Sequence, residues 1–147
     1  MDLLLWRHAE AEEGRDDAAR RLTAKGVRQA ARMAAWLDAH VEKEALVLVS
    51  PAQRAQQTAQ ALSRKARTSA AVNVGAAPAA VLEAAGWPDG AGSVVVVGHQ
   101  PTLGAAAALA LTGTAAPWRI RKGSVWWIRS AGDGSPMVVA VVAPDLL

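Results

Sequence analysis

Two histidines and two arginines stand at or just beyond the ends of apolar runs. Arg7-His8 follows Leu3-Leu4-Leu5-Trp6, and Gly98-His99 follows Val94-Val95-Val96-Val97. Arg54 lies a few residues past Leu46-Val47-Leu48-Val49. Guanidinium forks match the oxygens of phosphate. If the three runs end at one place, two imidazoles and two guanidinium groups meet there, and the constellation reads as a phosphoryl site.

The elements that would position these residues are legible around them. Each uncharged run has the character of a strand buried on both faces. Between the first two runs, Thr23 serves as the N-cap of a helix. Val27, Ala30, Ala31, Ala34 and Leu37 fall at helical spacing as its inner stripe, with Arg28 and Arg32 one turn apart outside it. Ser50-Pro51 starts a second helix, with Ser as cap and Pro in the first turn, running from about Ala52 to Lys65. Asn73 to Pro78 breaks the pattern. A short helix through Val81-Leu82-Glu83 ends near Gly86, and Gln100-Pro101 opens another that fades at Thr112-Gly113. The runs Val125 to Arg129 and Met137 to Val142 flank Gly132-Asp133-Gly134-Ser135-Pro136, a hairpin signal.

Strands alternating with helices predict an α/β fold. The expected form is a three-layer α/β/α sandwich on a mostly parallel sheet, with the C-terminal hairpin adding antiparallel character. In an open parallel sheet, ligands bind beyond the carboxyl ends of the strands. Arg7, His8, Arg54 and His99 are therefore expected at one rim, among helix N-termini that also favour phosphate.

Composition narrows the partners. A length of 147 residues fits a single domain, 1–147. The absence of cysteine excludes a disulfide scaffold, a thiolate zinc site and a cysteine nucleophile. With 52% hydrophobic and 20% charged residues the chain is too apolar to be disordered. Basic residues outnumber acidic ones by 16 to 13, and twelve of the sixteen are arginine. Their dispersal points to an anionic small molecule or a phosphoprotein, not to nucleic acid. The stretch from Gly90 to Trp118 has no charged residue, but Gly98-His99-Gln100-Pro101 cuts it into two short elements, so no membrane span is expected. Leu3 to Trp6 follows Asp2 and stops at Arg7, which is no signal peptide. The chain reads as soluble, cytoplasmic and monomeric.

Arg7-His8-Ala9 resembles the Arg-His-Gly signature of the histidine phosphatase (phosphoglycerate mutase-like) superfamily. Three further blocks come in that family's order: Leu22-Thr23-Ala24-Lys25-Gly26, Ser50 to Thr58, and Val97-Gly98-His99-Gln100-Pro101. The similarity covers about residues 1–113. The short chain and the Arg-His-x-(Asp/Glu)-Ala start resemble most the small SixA-type phosphohistidine phosphatases. Ala9 departs from the usual glycine, and the insertion that carries a proton-donating carboxylate in larger members is missing.

The resemblance implies a metal-independent phosphatase with no cofactor, in which His8 is the nucleophile and forms a phosphohistidine intermediate. A partner, expected to be a backbone carbonyl, would fix the tautomer of His8. Arg7, Arg54 and a protonated His99 would bind the phosphoryl oxygens, and Arg20, just before the Leu-Thr block, is a further candidate for substrate contact. With no evident acid in the sequence, the site suits cleavage of a P–N bond, since histidine departs as neutral imidazole once its ring is protonated. The expected partner is thus a phosphohistidine protein of signalling or phosphotransfer. Phosphate monoesters of small molecules, or a non-catalytic phosphate-binding module, are the alternatives. Glu10 and Glu83 are the candidate proton donors.

Other residues invite plainer readings. His40 sits near a helix C-terminus, where an imidazolium is favourable against the dipole. Thr58, one turn after Arg54, reads as packing, with a hydrogen bond near the site as the alternative. Glu12, Glu13, Asp16 and Asp17 read as a solvated loop within Glu10 to Arg21, which could close over the site. Arg119, Arg121 and Lys122 read as charges guarding a strand edge, with docking of an acidic phosphoprotein as the alternative. The tryptophans read as core, and Trp6 could wall the pocket.

Overall fold

Strand β1 (Asp2–Arg7) and its neighbours β2 (Leu46–Val49) and β4 (Ser93–Gly98) are the three apolar runs. A computed structural model describes all of residues 1–147. A two-residue strand, β3 (Arg67–Thr68), and the hairpin β5 (Val125–Ser130) and β6 (Pro136–Val142) complete a six-stranded sheet in the order β3-β2-β4-β1-β5-β6. The β3·β2, β2·β4 and β4·β1 ladders are parallel; the β1·β5 and β5·β6 ladders are antiparallel. The expected mixed sheet is therefore present, mostly parallel with an antiparallel end.

Alternation along the strands divides the core in two. Leu4, Trp6, Val47, Val49, Val95 and Val97 face α1 (Ala24–His40) and α2 (Gln53–Gln60). Leu3, Leu5, Leu48, Val94 and Val96 face α3 (Pro78–Ala85) and α4 (Thr102–Thr112). Helices thus cover both faces, which explains why the strands need no polar side. No helix is long and apolar enough to cross a membrane.

Helix α1 starts where expected, with Thr23 Oγ1 accepting from the Gly26 N–H at 3.0 Å. Its buried stripe, however, is Gly26, Ala30, Met33, Ala34 and Leu37; Val27 and Ala31 are exposed. Gly26 causes the rotation. A Cβ there would lie 2.0 Å from the Glu10 carbonyl oxygen, so only glycine lets the helix press onto the chain just after His8. Hydropathy cannot register an inward residue that has no side chain. Helix α2 is shorter than expected, ending at Gln60. Ser50 also does not cap it: Ala52 holds the N-cap position, and Ser50 Oγ instead accepts from the Ala52 N–H at 3.2 Å. That turn leaves Ser50 at the strand end.

Candidate functional site

Strand register brings the candidate residues level. Arg7 pairs with Gly98 and Val49 pairs with Val97, so the residues immediately following β1, β4 and β2 share one rim of the sheet. Two backbone bonds extend the ladders past the strands: His8 N–H to Gly98 O at 3.0 Å and Ser50 N–H to Val97 O at 3.1 Å. The rings of His8 and His99 lie 5.2 Å apart, tilted by 56°.

The tautomer of His8 is set by its partners. Nδ1 lies 2.7 Å from the Ala9 carbonyl oxygen, which can only accept, so Nδ1 carries the proton. Nε2 then holds a lone pair, and the Arg54 Nε–H donates to it at 3.3 Å. Burial, together with the positive groups around it, holds the His8 pKa down at about 3, although the Ala9 carbonyl opposes the shift. At neutral pH His8 is a neutral imidazole with one nitrogen available as a nucleophile. Thr58 supports this arrangement: its Oγ1 accepts from the Ala9 N–H at 3.1 Å and donates to the Arg54 carbonyl at 2.8 Å. It ties Ala9, the residue after His8, to α2 and is more than packing.

Arg54, at the start of α2, is held by a residue that the sequence left in the solvated loop. Asp17 accepts from Arg54 through its carbonyl at 2.7 Å and through Oδ2 at 3.1 Å, and through Oδ1 it pairs with Arg20 at 3.1 Å. Hydrogen bonds from Arg20 and then Arg54 keep the Asp17 carboxyl below the usual carboxylate range. The loop is structured, with a short turn of helix at Asp17–Ala19 and an Ala11–Leu22 bridge. Two of the five N–H groups of Arg54 remain for an anion.

His99 is oriented by Ser50, which accepts or donates at 2.7 Å from Nε2. The Val74 N–H donates to Asn73 Oδ1 at 2.8 Å, which fixes that atom as an acceptor. Ser50 Oγ lies 3.4 Å from the same oxygen and can send its proton there, leaving His99 Nε2–H to donate to Ser50. His99 Nδ1, buried and without a protein partner, is then the nitrogen that takes up a second proton. Burial first, then the charge of Arg54, lowers the His99 pKa to about 4. A bound phosphoryl group would reverse the electrostatic part of that shift.

Arg7 donates from one terminal nitrogen to the Ile120 carbonyl at 2.9 Å, and its buried Nε–H has no protein partner. Burial lowers its pKa. A pocket of about 180 Å³ is lined by Arg7, His8, Arg54 and His99 together with Arg20 and Lys122. All four residues at the strand ends and Arg20 are thus brought together. Glu13, exposed as expected, also lines the pocket. The expected donors do not: Glu10 faces an adjoining cleft, with its carboxylate accepting from Thr23 Oγ1 at 2.9 Å, and Glu83 is exposed on α3. Trp6 lies in the core, its Nε1–H donating to the Gly123 carbonyl, and does not wall the pocket. No three His, Cys, Asp or Glu side chains gather in a metal-holding group.

The chain is similar to known proteins in sequence and in fold. The family model of the histidine phosphatase superfamily (branch 1) matches residues 3–79, just over half of the chain. No curated protein sequence gives a significant match. Among solved structures, the protein histidine phosphatase SixA complexed with tungstate superposes with a TM-score of 0.86 at 26% identity, covering 99% of each chain. A protein provisionally assigned as phosphohistidine phosphatase SixA from Nakamurella multipartitia gives 0.83 at 28% identity, over 97% of this chain and 95% of that one. Phosphoserine phosphatase from Entamoeba histolytica shares the fold, with a TM-score of 0.74 at 16% identity over 99% and 98% of the two chains.

Proposed function

Since this chain belongs to branch 1 of the histidine phosphatase superfamily, and so to a family of phosphatases, we propose that it removes phosphate from phosphohistidine in a protein of signalling or phosphotransfer. It would do so as a single domain through a phosphorylated His8. The observation that carries the mechanism is the His8 tautomer, with Nδ1–H spent on the Ala9 carbonyl and the Nε2 lone pair facing the guanidinium of Arg54. Nε2 attacks phosphorus, the P–N bond of the substrate breaks, and its electron pair leaves with the substrate imidazole, protonated on the ring. Water then attacks phospho-His8, releasing inorganic phosphate and restoring the neutral imidazole. Arg7, Arg54 and His99, protonated at Nδ1 when the anion arrives, take the oxygens on which charge develops. A single donor of this kind contributes about 3–4 kcal/mol to the transition state. Arg20 lies at the pocket's edge as a further contact to substrate.

Phosphohistidine is favoured by leaving-group chemistry. An alkoxide needs an acid at its oxygen, whereas imidazole does not depart as a strong base. The likeness to SixA structures over nearly the whole chain supports the same class. One observation favours a second reading: Glu13 lines the pocket and could protonate the alkoxide of a phosphate ester. The two are separated by kcat/KM for a phosphohistidine protein and a panel of phosphate esters, measured on the wild type, His8→Ala and Glu13→Gln. The proposal expects preference for phosphohistidine, abolition in His8→Ala and little change in Glu13→Gln. Ester preference that collapses in Glu13→Gln would replace it with the second reading.

A further inference from the structure

Beside the phosphoryl pocket the surface opens into a second, larger cleft of about 540 Å³, which shares Arg7, Gln100 and Lys122 with the pocket and so continues it. Its other cationic walls are Arg119, Arg121 and Lys25. From Lys25 and Gln29 a third depression runs along the outer face of α1 past Arg28 and Arg32. Lys25, Arg28 and Arg32 succeed one another at helical spacing, so the track extends about 10 Å along the helix. Apart from Arg7, every one of these cations is exposed.

The charge of the whole molecule is sorted by this track. Along it lie seven of the sixteen basic residues and two of the thirteen acidic ones, Glu10 and Asp145, for a formal excess of five positive charges. The nine bases and eleven acids elsewhere sum to −2. Of the two acids, Glu10 is engaged by Thr23, and Asp145 is paired with Arg121. Strand-edge protection does not account for the Arg119–Lys122 cluster, because the next strand in the chain, β5, is interior, paired with β1 on one side and β6 on the other. The edge on that side of the sheet, β6, has no charged residue.

The cluster is also held rigidly. Gly104 on α4 packs so closely on residue 118 that a Cβ would lie 1.7 Å from the Trp118 carbonyl oxygen. Gln100 donates to that carbonyl at 3.0 Å, Arg7 donates to the Ile120 carbonyl, and the Gly123 N–H reaches the carbonyls of Arg7 and His8, both at 3.1 Å. The basic rim is fixed to the strand that carries His8. The backbone that carries these cations is therefore already ordered before a partner binds.

We propose that the cleft and the adjoining face of α1 recognise a protein substrate by the carboxylates flanking its phosphorylated residue. This rests on the reading that the substrate is a phosphoprotein. A small phosphorylated molecule would fill the pocket alone, whereas a chain of cations running about 10 Å further matches an acidic surface laid across the opening. Attraction over this range is screened with a Debye length of about 8 Å at physiological salt, so recognition should fade as ionic strength rises.

The test uses fluorescent peptides with a central phosphohistidine, as its non-hydrolysable phosphoryl-triazole analogue, flanked by glutamates or by glutamines. Phosphoserine peptides with the same flanks run in parallel, so that flank preference is readable whichever phosphoryl group the pocket accepts. Dissociation constants are measured for the intact wild type and for the exposed-surface variants Arg28→Glu/Arg32→Glu and Arg119→Glu, with folding checked by near-ultraviolet circular dichroism. The expected result is at least tenfold tighter binding of acidic-flanked peptides by the wild type at low salt. The preference should shrink with added salt and fall below threefold in Arg28→Glu/Arg32→Glu, with glutamine-flanked binding unchanged. Equal binding of the two flanks by the wild type, preference that survives charge reversal, tighter binding of a sugar bisphosphate than of the acidic peptides, or no peptide binding at all would overturn the proposal. Preference for acidic flanks on phosphoserine peptides alone would leave it standing while refuting the phosphohistidine reading.

Discussion

Acid should weaken this protein well before its carboxylates protonate, because both histidines of the site are held neutral. In the unfolded chain a histidine takes up its proton near pH 6.5, but His8 and His99 resist until about 3 and about 4. Between those limits the unfolded state binds more protons, so stability is full above pH 6.5 and falls as pH drops towards the folded values. From pH 7 to pH 5 each histidine contributes a loss of about 2 kcal/mol, about 4 kcal/mol together. That is a large share of the ~5–15 kcal/mol available to a domain of this kind. Asp2 and Asp17, held below the usual carboxylate range by hydrogen bonds from Arg129 and Arg20 respectively, lose their contribution only in stronger acid and do not confuse this window. The assay is urea denaturation at pH 7, 6 and 5 for the wild type and His8→Asn/His99→Asn, which cannot take up these protons. A wild-type loss below about 1 kcal/mol, or an equal slope in the double variant, would refute the burial argument.

Single contacts set the other expected outcomes. Ser50→Ala removes the partner of His99 Nε2 and should lower kcat/KM about tenfold and shift its pH profile, while costing about 1–3 kcal/mol in urea titration because buried groups lose their partner. Asp17→Asn leaves the backbone bond to Arg54 but removes the carboxylate charge. It should lower kcat/KM about fivefold in steady-state kinetics with kcat sharing in the loss, the scale of an ion pair worth about 1 kcal/mol whose acid is exposed. Gly26→Ala drives a methyl into the Glu10 carbonyl and should destabilise the fold by about 1–3 kcal/mol. A calorimetric midpoint equal to the wild type's would contradict the close approach of α1.

The fold was legible because its strands are uncharged runs and its punctuation is chemical. Thr23 caps α1, and Gly86 and Gly113 end α3 and α4 in the left-handed conformation. Arg7, His8 and His99 were legible for the same reason, since a parallel sheet brings the residues just past each run to one level, and Arg54 follows because α2 starts from that same rim. The features that escaped did so for physical causes. Gly26 carries the inner face of α1 without a side chain. The two-residue β3 is too short and too charged for any periodicity. Ser50 has the sequence of a helix cap, yet its hydroxyl orients His99, a contact between residues 49 positions apart. Asp17 sits in a loop of similar acids, and nothing in its neighbours marks it as the one that reaches Arg54. A nearby signal existed for Thr58, one helical turn from Arg54, but not for the Ala9 amide that it holds.

Where the phosphoryl group rests during turnover is the most direct test. Enzyme quenched in alkali during hydrolysis of a phosphohistidine protein, then digested and examined by phosphorus–proton NMR and tandem mass spectrometry, should carry phosphate on His8 at Nε2, with no label in His8→Ala. Phosphate on Nδ1, on another residue, or nowhere while turnover proceeds would contradict the assignment of His8 as nucleophile.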